Sequence, residues 1–260
     1  MFYVFRQEPD TETMLPDSHA VSAVDRALVV LATLAQQGHP LTAMELMRKT
    51  GLSQSTLYRQ LHALKRWGFV LEVEGRYAPG PLSLQLALGF DMASHLAQQA
   101  RQDMQVLAQQ SQESVGLIVA VNGQAICIEM VESRQALRCS FEKGRSVPLE
   151  KGASAKCLLA HLPEAARDAV LGAARPDLPQ SELLAELGAI RKAGFAVSDG
   201  EVDAGVWGVS VPLFAMGKQA VGALTLMAPS VRIQDKHSPL IQMTVVTAAR
   251  ISRSLSTLIH

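Results

Sequence analysis

Ser55, Tyr58, Arg59, His62 and Arg66 recur three and four residues apart, the spacing that places side chains on one face of an α-helix. Each can donate a hydrogen bond, and none is acidic. Leu57, Leu61 and Leu64 recur at i, i+4, i+7, an apolar stripe facing the other way. A face of donors without acids suits phosphate oxygens and the acceptor edges of bases. It equally describes the solvated side of an ordinary amphipathic helix. The spacing alone leaves both readings open.

The neighbouring elements must decide. Gly51 can take φ > 0 between two helical patterns, Ser53 is a good N-cap, and Gly68 stands where a helix ends. Just upstream, Thr42-Ala43-Met44-Glu45 has the form of a capping box opening a short helix through Lys49. Two helices across a short Gly-containing turn have the spacing of a helix-turn-helix, whose second helix enters the major groove. An earlier helix is expected from Val21, with Val24, Leu28, Leu31 and Leu34-Ala35 on one face and Gly38-His39-Pro40 as its stop. After Gly68, two short β-prone runs flank Glu74-Gly75 and predict a hairpin from Phe69 to Tyr77. Three helices followed by a hairpin make a winged helix-turn-helix.

The candidate DNA contacts follow. Ser55, Tyr58 and Arg59 are expected at base edges, where Arg to guanine is the commonest specific pair. Gln54 can read adenine or hold a phosphate, while Lys49, Thr56, Arg66 and Arg76 would position the backbone. Ser53 and His62 complete the interface. A symmetric dimer would read a pseudo-palindromic double-stranded operator with half-sites ~34 Å apart. A protein-interaction module built on the same motif would instead call for an acidic or apolar outer face.

Net charge over 260 residues is zero, so the whole-chain balance says nothing of nucleic acid. Its distribution says more: residues 19–80 carry seven bases against four acids, and residues 1–18 one base against four. Hydrophobic content of 48% with 18% charged residues describes a globular protein long enough for two modest domains. Cysteines at 127, 139 and 157 fit neither a disulfide framework nor a zinc site. No apolar run approaches the ~18 residues that span a bilayer, and a cytoplasmic location is expected. Catalysis finds no support: Ser154 and Lys156 are two apart rather than Ser-x-x-Lys. The histidines 39, 62, 161 and 237 lack metal-like spacing, and no phosphate-binding Gly motif precedes a helix. No cofactor and no metal are expected.

In chain order, residues 1–18 mix acids, prolines and scattered apolars and predict a mobile tail. Residues 81–111 have a helical period through Leu82, Leu86 and Phe90, then Leu96, Ala100, Met104 and Leu107, giving two helices. From Ser114 two apolar runs flank Asn122-Gly123, a strong hairpin signal. Residues 137–141 are expected as a further strand. Gly152-Ala153-Ser154-Ala155-Lys156 reads as a loop running into a helix N-terminus, where free N–H groups suit a carboxylate. Helices near 163–172 and 180–193, strands near 209–214 and 220–227, and a helix over 238–258 complete an α+β domain with an antiparallel sheet.

These residues also carry a family likeness. Val24-Asp25-Arg26-Ala27-Leu28 with Leu31 and Leu34, then Thr50-Gly51-Leu52-Ser53, Thr56, Arg59, Leu61, Leu64 and Gly68-Phe69-Val70 resemble the DNA-binding domain of IclR-family transcriptional regulators. Tyr77-Ala78-Pro79-Gly80 departs from the family's usual Tyr-x-Leu-Gly at Pro79. Gly144 with Pro148-Leu149, Gly152-Ala153-Ser154-Ala155-Lys156, Gly194-Phe195-Ala196, Gly200-Glu201, Gly205-Val206, Val211-Pro212 and Gly222-Ala223-Leu224 resemble its GAF-like effector domain. The resemblance implies a tail (1–18), a winged domain (19–80), a linker helix (81–93) and an effector and oligomerisation domain (94–260). It also implies dimers or dimers of dimers and a small-molecule effector, commonly a carboxylate; no membrane attachment is expected, for want of a long apolar run. Carried over by position, the effector site comprises Phe141, Val147, Ala153, Ser154, Ser198, Gly208, Thr225 and Met227. Ser198 and Gly208 stand where relatives that bind small acids can have Asp and Cys, and Met227 where a hydroxyl can occur. A roomier, more apolar pocket follows, suited to an aromatic or longer acid.

Overall fold

The computed structural model describes residues 22–173, 180–215, 219–233 and 236–257; the expected tail over 1–18 lies outside them. The chain divides into two units between Ala93 and Ser94.

In the first unit, α1 (Ala23–Gln37), β1 (Leu41–Thr42), α2 (Ala43–Thr50), α3 (Gln54–Arg66), β2 (Val70–Val73), β3 (Arg76–Pro79) and α4 (Pro81–Ala93) follow in order. Local chemistry sets most boundaries. Ser22 with Asp25 and Thr42 with Glu45 form reciprocal capping boxes at the starts of α1 and α2. Gly38 (φ 65°) and Gly51 (φ 68°) end those helices in the left-handed region. Ser53 has the extended backbone of an N-cap, but its hydroxyl donates to Thr56 Oγ1 at 3.0 Å rather than accepting from the helix. The wing turns at Glu74 (φ 51°) and Gly75 (φ 73°), the two positive φ values of a type I′ hairpin. The sheet runs β1-β3-β2, antiparallel throughout. Val30, Leu34, Leu41, Leu46, Leu57, Leu61 and Val70 fill the core beneath.

The inward face of α1 differs from expectation. Val24 and Leu28 are 65% and 56% exposed, and the buried positions are Val30, Thr33 and Leu34, with Ala27 and Leu31 packed beside them. Apolar residues lie nearly all round this helix, so two stripes of helical period coexist and periodicity cannot choose between them.

In the second unit, α5 (His95–Ser111), β4 (Ser114–Val121), β5 (Gln124–Val131), β6 (Ser146–Pro148), α6 (Ala153–His161), α7 (Glu164–Ala173), α8 (Gln180–Ala193), β7 (Ala196–Asp199), β8 (Val206–Phe214), β9 (Ala220–Pro229) and α9 (His237–Thr257) follow. Six antiparallel strands form one sheet in the order β6-β5-β4-β9-β8-β7. Alternate residues go to opposite faces, as strand geometry requires. Trp207, Val209, Leu224 and Leu226 pack with Met104, Leu107 and Ile251 from α5 and α9. On the other face Ile118, Ala223 and Met227 pack with Cys157, Leu159, Leu187 and Ile190 from α6 and α8. Asn122 (φ 49°) and Gly123 (φ 73°) make the β4–β5 turn.

Residues 137–141 form no strand. The edge of β5 is already paired with β6, and the segment's backbone is held by side chains instead. Ser114 Oγ donates to the Cys139 carbonyl, and Arg232 Nη1 donates to the Leu137 carbonyl at 2.6 Å. This irregular course brings Cys139, Ser140 and Phe141 to a pocket.

Candidate nucleic-acid interface and ligand pocket

Leu57, Leu61 and Leu64 anchor α3 in its core, and Gln60 is buried beside them. The rotation of the helix is thereby fixed, and Gln54, Ser55, Tyr58, Arg59, His62 and Arg66 face solvent. Tyr58 is 46% exposed, enough to lay its ring or hydroxyl on a neighbouring surface. Ser53 is exposed and Thr56 half-buried. The helix contains no acid. Arg59 and Arg66 have no ion-pair partner among the described residues, whereas Lys65 is paired with Glu72 on the wing.

One expected phosphate contact is placed differently. Lys49 is only 9% exposed, so its ammonium is poorly positioned for DNA, and the backbone role expected of it is withdrawn. It is buried in the last turn of α2, which sequence charge alone does not reveal. Arg76 stands beside the tip of the wing, as expected, opposite Val73, donating weakly to the Pro40 carbonyl (3.4 Å) and 3.9 Å from Glu45. Its side chain is half-exposed.

The tip of the wing carries Glu74, exposed and without a partner among the described residues. An acid there repels any phosphate that approaches it. Glu74→Lys is expected to raise affinity for duplex DNA of any sequence and to steepen the log–log salt dependence by roughly 0.9 per tip brought to a phosphate. Fluorescence anisotropy on random-sequence duplex across a salt series checks this; an unchanged slope would place the tip away from the backbone.

The second unit contains a pocket between the sheet and α6, closed by the 200–205 loop. All eight expected positions, Phe141, Val147, Ala153, Ser154, Ser198, Gly208, Thr225 and Met227, line it. Its cavity volume is about 70 Å3, several times the ~10–15 Å3 that a single water needs. Its walls are mainly apolar. Gly208 leaves room on β8, with Ala153 Cβ and Met227 Cγ the nearest side-chain atoms to the Cβ it lacks.

One end of this pocket is the start of α6. Gly152 takes φ 83°, ψ 161° there, a region essentially reserved for glycine. Ala153 N–H donates to Ser198 Oγ at 2.9 Å, and Gly152 N–H to Glu201 Oε2 at 3.1 Å. The first intrahelical bond is Lys156 N–H to the Gly152 carbonyl. The N–H groups of Ser154 and Ala155 therefore remain open among the described residues. Ser198 accepts from the backbone, so its own hydroxyl hydrogen is free to donate. Thr225 Oγ1 is already engaged with Ser210 Oγ at 2.9 Å.

Lys156 is buried between Glu186 and Glu201. Burial pulls its pKa down, but the hydrogen bonds it donates to Glu186 and Glu201 outweigh that and leave the ammonium above its ordinary value. It is a charged strut tying α6 to α8 and to the pocket loop, not a base.

Sequence reasoning did not find Ile118, Cys139, Ser140, Val202, Asp203 and Val206, which also line the pocket. Burial, then the neighbouring Glu113, pushes the Cys139 thiol up to about 11, so it is an uncharged part of the wall at neutral pH. Gly200 and Gly205, both at positive φ, were the available sign that the loop between them folds back. Among the described residues, no three His, Cys, Asp or Glu side chains converge as a metal set. No described helix is long and apolar enough to cross a membrane.

Residues 23–74 match the IclR helix-turn-helix domain, and residues 92–253 match the domain described as bacterial transcriptional regulator IclR C-terminal. The chain is 26% identical to the acetate operon repressor of Salmonella typhimurium over 251 residues, covering 92% of this chain and 91% of that one. An IclR-family transcriptional regulator from Brucella abortus superposes with a TM-score of 0.76 at 24% identity, over 89% of this chain and 91% of that one. An IclR homolog from Microbacterium hydrocarbonoxydans complexed with 4-hydroxybenzoate gives 0.68 at 24% identity, over 91% of this chain and all of that one. These two structures speak to the fold alone. Matched across both of its units, the chain belongs to the IclR family of DNA-binding transcriptional regulators.

Proposed function

We propose that this regulator binds a pseudo-palindromic operator as a dimer, or a dimer of dimers, and that a small acid in the pocket of the second unit modulates that binding or promoter activation. The observation that carries the effector reading is the joining of an apolar cavity to the open N–H of Ser154 at the start of α6. Aligned helix dipoles and unpaired donors favour a carboxylate at such an end. The apolar remainder, with Gly208 and Met227 in its wall, favours an aromatic or longer acid over a very small one. That a protein of the same fold is complexed with 4-hydroxybenzoate is consistent with this class.

Ser55, Tyr58 and Arg59 read base edges in this proposal, and Gln54 reads adenine or a phosphate. Ser53, Thr56, His62, Arg66 and Arg76 set the register on the backbone. Pairing is supported by the apolar side chains left open to solvent on α4 (Leu84, Leu86, Leu88, Phe90) and on α1 (Val24, Leu28). An acid that prefers one of two conformations would shift the operator equilibrium.

Gel-shift binding to the DNA upstream of the gene tests this, at two salt concentrations, with excess nonspecific competitor and with aromatic and aliphatic acids added. A competitor-resistant complex that weakens with salt and responds to one class of acid is the expected result. A complex indifferent to every acid would remove the effector reading and leave DNA binding intact.

A further inference from the structure

Asp203 is the one carboxylate among the residues lining the pocket. An acid in the wall of a site read as binding acids calls for a physical account. The 200–205 loop that carries it is fastened on each side. Glu201 accepts from Gly152 N–H and from Lys156 Nζ, and Val202 rests against Gly152. The Asp203 carbonyl accepts from Val206 N–H at 3.1 Å, turning the chain into β8. Asp203 Oδ1 accepts from Arg145 Nη2 at 3.0 Å, and the Arg145 guanidinium lies 4.5 Å from the centre of the Phe141 ring. Asp203 is thus a positioned group, held through an arginine that is itself stacked on another wall residue.

Two consequences follow. Arg145 balances the charge of Asp203, so a ligand carboxylate can share the cavity without facing an unscreened anion. The bond to Arg145 uses Oδ1, and Oδ2 has no partner among the described residues. An ionised carboxylate can only accept. The pocket therefore offers two kinds of polar group: donors at the start of α6 (Ser154 N–H, Ser198 Oγ–H) and an ionised acceptor on the loop. The space between is bounded by Ile118, Phe141, Val147 and Met227.

We infer that Asp203, held by Arg145, is a specificity residue that selects, among acids, those also bearing a hydroxyl or amino donor. This rests on the reading of the pocket as an acid site. A plain acid would fill the apolar part but leave Oδ2 facing a C–H edge. A site that presents a polar group to the ligand discriminates against the analogue lacking the complementary donor. With its side chain 43% exposed, Asp203 retains some solvent, so the discrimination falls at the low end for hydrogen bonds to charged groups, about tenfold.

Isothermal titration calorimetry of the full-length protein with benzoate, 3-hydroxybenzoate, 4-hydroxybenzoate and 4-aminobenzoate tests the assignment. In the wild type at least one donor-bearing acid is expected to bind about tenfold or more tightly than benzoate. Asp203→Ala should bring that ratio to within about twofold with benzoate binding retained, and Asp203→Asn, which keeps an uncharged acceptor, should give an intermediate ratio. The Asn variant preserves the side-chain shape and carries the test if the Ala variant folds poorly. Equal affinities across the four acids in the wild type, or a ratio that survives both substitutions, would overturn the inference and leave the acid site standing. No uptake of any of the four by wild type or variants would overturn both.

Discussion

Arg59→Ala is expected to weaken binding to the specific operator by about 1–3 kcal/mol and to relax preference at one base position per half-site. Arg59 stands on the solvent face of α3, in line with Ser55 and one residue from Tyr58. The burial of Leu57, Gln60 and Leu61 fixes the rotation of that face. A guanidinium already tied to a carboxylate would have to break that pair before reaching a base. Arg59 has no such partner among the described residues, while Lys65, six positions on, does. The fork of five N–H donors matches the two acceptors of guanine in the major groove. The comparison that makes this specific is Arg66→Ala. A backbone contact should lose affinity about equally on all sequences and reduce the salt slope by roughly 0.9 per phosphate. Gel shifts on an operator series with single base-pair changes separate the two patterns. If Arg59→Ala keeps full affinity and an unaltered base preference, α3 does not read sequence through this residue.

The parts of the fold legible in the sequence are those whose cause is local. Glu74-Gly75 and Asn122-Gly123 are type I′ turns because each pair must take φ > 0. The Thr42–Glu45 box closes within one helical turn. The stripe on α3 was legible because polar residues separate its leucines. On α1 they do not, so Val24 and Leu28 were expected inward and lie outward. Lys49 shows the same limit in charge: a basic residue beside the interface is counted as available, and only the packing around α2 removes it. The eight pocket positions came from resemblance to the family, and their convergence on one cavity joins segments from residue 141 to residue 227. Asp203 was missed because its place depends on a pair with Arg145, 58 residues away, and on a loop whose glycines mark a turn but not its destination. Residues 137–141 have strand-like composition, yet β6 takes the edge they would have joined.

Gly152→Ala is expected to destabilise the second unit by about 3 kcal/mol and to abolish acid uptake, because two costs fall on one atom. At φ 83°, ψ 161° an L side chain is strained by ~1–3 kcal/mol wherever its neighbours lie. The added Cβ would also lie 2.6 Å from Val202 Cγ2, a contact real structures do not hold. Val202 is β-branched and cannot swing aside cheaply, and the same loop supplies Glu201 to the Gly152 N–H and to Lys156. Relief of the clash must therefore move the loop, the first turn of α6 or both. Either movement spoils the open Ser154 N–H proposed to hold the carboxylate. For a unit of this size the loss corresponds to a fall of about 6–12 °C in melting temperature, measurable by calorimetry. Adding Val202→Ala separates the causes: it should restore the part due to contact and leave the part due to backbone strain. Full recovery in the double variant would mean that the α6 entry tolerates a side chain at 152. No recovery would place the whole cost in the backbone conformation.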